Sequence, residues 1–176
     1  ELRRAQTLEQ LADAKPVTIW RKPENGPMSH LIWAPELHFF NGQWVIYFAA
    51  AHSPEIKEGL FQHRMFALTC DSADPLGGNW VERGRVITPL DTFSLDATSF
   101  EYQGKRYYLW AQKAPEVYGN SNLYLAELEN AWTIKSQPVM LSKPELEWET
   151  RGFWVNEGPA VIRHGGKIFI TYSASA

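Results

Sequence analysis

The sequence lacks the features that mark several large classes of protein. It has a single cysteine, Cys70, in 176 residues, so no disulfide can form within the chain. Its 17 basic and 20 acidic residues give a formal net charge of −3 without a run of lysines or arginines, which argues against a nucleic-acid partner. No apolar stretch is long enough to span a membrane. We therefore expect neither nucleic acid nor a membrane as a partner.

The signatures of several catalytic chemistries are also absent. The five histidines show no metal-ligand spacing, and no glycine-rich phosphate loop occurs. No serine lies in a nucleophile elbow. Cys70 ends an apolar run, which favours a packed thiol over a nucleophile. The sequence thus gives no basis for a metal or a cofactor.

A repeated pattern of strands and turns is what the sequence does contain. Three segments share a short apolar stretch, a glycine turn and an aromatic strand: IWAPELHFFNGQWVIYFAA, SLDATSFEYQGKRYYLWAQ and NEGPAVIRHGGKIFITYSA. Their turn glycines, Gly42, Gly104 and Gly165, are 62 and 61 residues apart. Asn41-Gly42 is a strong hairpin signal. A strand-built repeat of this length predicts a propeller blade of four short strands, packed through the aromatic residues.

The repeat predicts an all-β chain in which residues 1–176 form one incomplete propeller domain. Closed propellers need about four to eight blades, and the chain holds just under three repeats, so we expect a piece of a longer protein. Residues 16–20 are predicted to be a strand, and the polar residues 53–62 a loop. An incomplete propeller would expose blade edges unless another chain covers them.

Two carboxylates, Asp96 and Glu157, each lie eight residues before a turn glycine, and matching positions on neighbouring blades would converge near the central axis. Paired carboxylates are what cleavage of a glycosidic bond needs. Gly158-Pro159 would expose Glu157 at a bend, and apolar neighbours would raise its pKa, as in a general acid. Asp96 would raise that pKa further by repulsion. Taken alone, each has a structural alternative: Glu157 a surface glutamate, Asp96 a turn cap.

Two residues of the first segment are further candidates. Glu36 lies six residues before Gly42, so it would share a strand face with the equivalent of the acids but lie further along; we expect it to be structural. Trp33 could offer its ring face to a sugar or belong to the core, and the sequence leaves both open.

The segments WAPE at 33–36, SLDAT at 94–98 and NEGP at 156–159 resemble glycoside hydrolase family 43. The resemblance spans nearly the whole chain and is greatest to the exo-acting α-L-arabinofuranosidases of that family. It implies a five-bladed β-propeller. The chain would cover the end of blade one, blades two and three, and the start of blade four.

The resemblance also implies an inverting hydrolase that removes terminal α-L-arabinofuranosyl residues from plant cell-wall polysaccharide. Glu157 would be the general acid and Asp96 the residue that raises its pKa, while Trp33 and Asn156 would bind substrate. The general base, an aspartate of blade one, matches nothing here, so we expect the chain alone to be inactive without the remainder of the propeller. A β-D-xylosidase and a non-catalytic carbohydrate-binding propeller are the alternatives. A polysaccharide hydrolase of this kind is expected to be secreted or extracellular.

Overall fold

The computed structural model describes residues 1–175, which are built largely of antiparallel strands. In chain order the strands are β1 (His30–Phe40), β2 (Gln43–Ala51), β3 (Ile56–Lys57), β4 (Leu60–Phe61), β5 (Arg64–Cys70), β6 (Val81–Arg85), β7 (Ser94–Tyr102), β8 (Lys105–Gln112), β9 (Asn122–Glu127), β10 (Val139–Ser142), β11 (Asn156–His164) and β12 (Lys167–Ala174). The helical segments within the described residues are one short α-helix, α1 (Leu8–Leu11), and a 3₁₀ turn (Glu147–Glu149).

The strands are arranged as consecutive propeller blades. One four-stranded sheet has the order β1-β2-β5-β6, and the next has the order β7-β8-β9-β10. Strands β11 and β12 begin a third sheet, and β7 lies between β1 and β11. The predictions of an all-β fold and of an incomplete propeller are confirmed, since the sheets do not close into a ring. No helix within residues 1–175 is long and apolar enough to cross a membrane.

The hairpins that open the three sheets share one turn geometry. Both central residues of each turn have positive φ, as a type I′ turn requires. These pairs are Asn41-Gly42, Gln103-Gly104 and Gly165-Gly166. The residue equivalent to Gly42 and Gly104 is therefore Gly166, and the repeat is 62 residues in both intervals. The prediction that Gly165 is the equivalent glycine is wrong by one position.

The core between the first two sheets is aromatic. Tyr47, Tyr108 and Trp110 are fully buried, and the Tyr47 and Tyr108 rings pack edge to face with centroids 5.0 Å apart. Trp110 in turn stacks on Tyr124 at 5.6 Å. The strand β2 is buried from Val45 onward, as its continuous apolar run predicts. Much of the aromatic content therefore serves packing between blades.

Two details of the predicted strands are wrong. Residues 16–20 form no strand, because Val17 alone makes a bridge, to Leu2. The Trp20 ring packs on Phe48 instead. Residues 53–62 are not a plain loop but contain the β3–β4 hairpin, which turns at Glu58-Gly59 with positive φ at both residues.

Candidate active site

The innermost strand of each sheet is interrupted by a bulge at the same point. Before the bulge the last paired residues of the inner strands are Trp33, Leu95 and Glu157, and pairing resumes at Glu36, Thr98 and Ala160. The first bulge residue has a left-handed backbone in every case, with φ of +46° at Ala34, +52° at Asp96 and +58° at Gly158. These positions are 62 residues apart, so the three bulges are equivalent.

This register corrects the expected match between the two acids. Asp96 is equivalent to Gly158, whereas Glu157 is equivalent to Leu95, one position earlier. The difference of one position follows from the equivalence of Gly166, rather than Gly165, to the other two turn glycines. The two carboxylates nevertheless lie at the same end of adjacent inner strands, at neighbouring positions of one repeated bulge.

A direct hydrogen bond joins the two bulges. The backbone N–H of Gly158 donates to Asp96 Oδ2 at 3.0 Å. A side chain at position 158 would be strained by the positive φ, and its Cβ would lie 3.1 Å from Ser173 Oγ and 3.9 Å from Asp96 Oδ2. Glycine at 158 thus lets the Asp96 carboxylate approach the strand that carries Glu157.

The surroundings of Glu157 disfavour its charge. Burial raises the pKa of the Glu157 carboxyl, and the nearby negative charge of Asp96 raises it further. The neighbouring Ser121 hydroxyl partly offsets these effects. Glu157 is therefore suited to hold a proton at a pH where an ordinary glutamate has lost it.

Asp96 is perturbed in the same direction. Burial raises the pKa of the Asp96 carboxyl, the hydrogen bond from the Gly158 N–H lowers it, and the charge of Glu36 raises it, with a net increase. The pKa values of both acids are thus raised, which favours retention of a proton at a pH where ordinary carboxyl groups have lost theirs.

Glu36 lies further along the strands, as its offset predicts. Its Oε1 accepts a hydrogen bond from Thr98 Oγ1 at 2.8 Å and lies 3.3 Å from His38 Nε2. Thr98 is two residues beyond Asp96, toward the hairpin turn. Glu36 therefore links β1 to β7 and influences Asp96 by its charge.

The chain matches the family described as "Glycosyl hydrolases family 43" over residues 1–176. It belongs to glycosyl hydrolase family 43. It is 50% identical over 175 residues to an "Extracellular exo-alpha-(1->5)-L-arabinofuranosidase" of Streptomyces avermitilis and 49% identical over 176 residues to "Alpha-L-arabinofuranosidase 43" of Humicola insolens. Each alignment takes in 99% of this chain and 36% of the relative, so the chain spans about a third of their length.

A solved structure agrees with the fold assignment. The crystal structure of α-L-arabinofuranosidase from Lactobacillus brevis superposes with a TM-score of 0.96 at 60% identity, covering 99% of this chain and 55% of that one. The two four-stranded sheets and the third hairpin of this family 43 chain therefore correspond to roughly half of the Lactobacillus brevis chain.

Trp33 lies at the level of Glu157 in the repeat of this family 43 chain, and it is half-buried. Its ring lies over the His63 imidazole with centroids 4.0 Å apart and meets the edge of Phe61 at 5.2 Å. His63 is fully buried, and its Nε2–H donates to the Leu31 carbonyl at 2.9 Å. Burial lowers the pKa of His63, which keeps the imidazole neutral. Trp33 thus belongs partly to the core while part of its ring reaches the surface.

Asn156 differs from the expectation that it binds substrate. It is fully buried, and its Nδ2 donates to Ser142 Oγ at 2.6 Å and to Glu149 Oε1 at 3.1 Å. Asn156 thus links β11 to β10 and to the 3₁₀ turn in the position next to Glu157.

Glu149 is a residue that the sequence did not single out. It is only 2% exposed, yet its carboxylate accepts hydrogen bonds from the N–H groups of Glu145 and Leu146, from the Tyr172 hydroxyl at 2.7 Å and from Asn156. Nothing in the run ELEWE distinguishes it from its exposed neighbours. Within residues 1–175 no three His, Cys, Asp or Glu side chains converge as a metal site would require.

Proposed function

We propose that the protein to which this chain belongs removes terminal α-L-arabinofuranosyl residues from arabinose-containing polysaccharides of the plant cell wall. The observation that carries the proposal is the Asp96–Glu157 pair, two carboxyls with raised pKa values at one end of the inner strands. The family and the names of its arabinofuranosidase relatives support the substrate class.

In the proposed reaction Glu157 is the general acid. Its proton passes to the glycosidic oxygen as the bond from that oxygen to the anomeric carbon breaks. A second carboxylate removes a proton from a water molecule, which attacks the anomeric carbon from the opposite face and inverts it. Asp96 keeps Glu157 protonated through its charge and, through the bond to Gly158, fixes the strand that presents it.

The general base is proposed to come from a part of the protein outside this chain. Inverting enzymes hold acid and base about 6.5–9.5 Å apart, to leave room for water. Glu36, whose charge acts on Asp96, is bound to Thr98 further down the strands and is assigned a structural role. The isolated chain is therefore expected to be inactive, and it would need the remainder of the propeller to complete its site.

The other roles follow from position. Trp33, level with Glu157 in the repeat, is proposed to offer the accessible part of its ring to the sugar, and Asn156 to support Glu157 rather than touch substrate. A secreted location is proposed because the relative from Streptomyces avermitilis is named extracellular.

The test is sugar release by the full-length protein from unactivated α-1,5-arabinobiose and β-1,4-xylobiose. Wild type should release arabinose, and Glu157→Gln should lose about 10²–10⁴-fold in rate, the usual contribution of a general acid. An aryl arabinofuranoside with a good leaving group needs less protonation and should suffer a smaller loss. Glu147→Gln, an exposed glutamate ten residues away, is the matched control and should behave as wild type.

Other outcomes would select the alternatives. Preferential release of xylose would identify a β-D-xylosidase. No turnover of either disaccharide, with binding of arabino-oligosaccharide retained, would indicate a non-catalytic carbohydrate-binding propeller. Undiminished hydrolysis by Glu157→Gln would reject Glu157 as the acid.

A further inference from the structure

An exposed aromatic patch, here called the aromatic platform, consists of Tyr118, Phe153 and Trp154. Their exposed fractions are 77%, 63% and 37%. Large aromatic side chains grouped on a surface commonly mark a binding site. The proposed acid and base chemistry makes no use of these three residues.

The topology places the aromatic platform on the same face of the molecule as Glu157. Trp154 precedes Glu157 by three residues, a distance of at most about 10 Å in extended chain. Tyr118 lies in the loop 113–121, which leaves β8 at Gln112, and Gln112 pairs with Ser94 at the start of β7, the end that carries Asp96.

The platform is held by hydrogen bonds rather than left loose. The Tyr118 ring meets the Trp154 ring edge to face, with centroids 4.7 Å apart. The Asn120 N–H donates to the Trp154 carbonyl at 2.7 Å, and Lys113 Nζ donates to the Val117 carbonyl at 2.6 Å. A binding surface fixed in advance loses less conformational entropy when a ligand binds.

Glycine at 119 permits the close contact between the two segments of the platform. Gly119 has φ of +106°, and a Cβ there would lie 2.6 Å from the Trp154 carbonyl oxygen and 3.0 Å from the Trp154 Cβ. Any larger residue would push the loop 113–121 away from Trp154.

A cleft of about 300 Å³ lies between the platform and the β3–β4 hairpin. The hairpin contributes Glu58 and Leu60 to its lining, and the loop 113–121 contributes Asn120. Aromatic faces with a few polar groups match a sugar ring, which has apolar C–H faces and a rim of hydroxyls. A packed blade is a poorer match, because it would have to satisfy these polar groups, and blades pack through sheet faces rather than loop ends.

We propose that the aromatic platform binds the leaving-group side of an arabinofuranosyl oligosaccharide, at about the second sugar beyond the bond that is cleaved. This inference rests on the proposed function. An exo-acting enzyme accommodates one sugar on the non-reducing side of the bond that is cleaved. Because the aromatic platform is separated from Glu157 along the same face, the sugars that it contacts belong to the leaving group. The platform would then favour longer substrates over small glycosides.

The experiment compares kcat/KM for α-1,5-arabinotriose and for an aryl α-L-arabinofuranoside in the full-length protein. Trp154→Ala and Tyr118→Ala should each reduce kcat/KM for the trisaccharide at least tenfold more than for the aryl glycoside, mainly through KM. Trp154→Phe, which keeps a ring, should recover part of the loss. Tyr102→Ala, an exposed tyrosine at the opposite end of β7, is the control and should change neither value.

The outcomes separate this inference from the proposed function. Equal losses on both substrates, or no loss on either, would overturn the platform while wild-type hydrolysis still supported the enzyme. If wild type hydrolysed neither substrate, the proposed function would fail. Calorimetric binding of arabinotriose would then decide the platform: weaker binding to Trp154→Ala than to wild type supports it, and equal or absent binding overturns it.

Discussion

Glu149 and Glu157 lie eight residues apart, yet their surroundings shift the pKa values of their carboxyl groups in opposite directions. Glu149 is 2% exposed, and burial, the largest single effect, would raise its pKa; four hydrogen-bond donors together outweigh burial and lower it. Glu157 is less buried, yet its pKa is raised, because burial and the charge of Asp96 act on it with only Ser121 in opposition. The balance between burial and the hydrogen-bond donors around a carboxylate decides its protonation.

This difference in environment suits Glu149 to a structural role and Glu157 to the proposed catalytic role. Glu149 is a fixed charge that joins the 3₁₀ turn to Tyr172 of β12 and, through Asn156, to β11. Glu157 is the next residue of the same strand, is only partly buried, and has few hydrogen-bond donors near its carboxyl group. The fully satisfied acid thus holds in place the strand that carries the poorly satisfied one.

The largest effect on stability is expected from Glu149→Gln. Whichever way the glutamine amide turns, its nitrogen cannot accept a hydrogen bond, so one pair of the donors around Glu149 loses its acceptor and the free energy of unfolding should fall by about 2–3 kcal/mol. Because the folded pKa of Glu149 is lowered, its stabilisation is present above the unfolded pKa of about 4.3 and is lost as pH falls below it. Urea unfolding at pH 7 and pH 3.5 measures both effects.

The control for that experiment is Glu147→Gln, since Glu147 is exposed. It should leave the unfolding midpoint unchanged at both pH values. If Glu149→Gln were as stable as this control at pH 7, the hydrogen bonds would not give Glu149 the role assigned to it.

Asp96→Asn should have the next largest effect, a loss of about 10–100-fold in kcat on arabinobiose, a part of the general-acid contribution. Removing the Asp96 charge lowers the pKa of Glu157, so Glu157 loses its proton at a lower pH. The alkaline limb of the kcat profile should therefore move toward acid. An unmoved limb with reduced kcat would mean that Asp96 acts through structure alone.

The smallest effect is expected from Glu157→Gln on stability, and its sign is opposite to that of Glu149→Gln. The folded pKa of Glu157 is raised, so its charged form destabilises the protein as pH rises above the unfolded value of about 4.3. The glutamine variant should be more stable at pH 7, by at most about 1 kcal/mol, and equal to wild type below pH 4. Thermal melts at both pH values would show this, and a lower melting temperature at pH 7 would contradict it.

The sequence predicted the repeated parts of the fold well, because local chemistry determines them. Asn41-Gly42 and Gln103-Gly104 form the expected hairpin turns, and the continuous apolar run of β2 is buried as expected. The third hairpin was misplaced by one residue because two consecutive glycines, Gly165 and Gly166, fit the turn equally well.

The finer parts of the site depend on the bulges, which sequence spacing alone does not reveal. All three inner strands carry the same bulge, and within it Asp96 and Glu157 lie at neighbouring rather than equivalent positions. The burial of Asn156 and the role of Glu149 arise from contacts with Ser142 and Tyr172, which are distant in sequence. No local pattern distinguishes such a buried glutamate from the exposed glutamates beside it.

The most direct test of the contrast between Glu149 and Glu157 is a titration of both side-chain carboxyl carbons by NMR in the full-length protein, with and without Asp96→Asn. In wild type the pKa of Glu157 should lie above the ordinary glutamate value and that of Glu149 below it. Asp96→Asn should lower the Glu157 value and leave Glu149 unmoved. A Glu157 pKa at or below the ordinary value in wild type would contradict its role as the protonated acid.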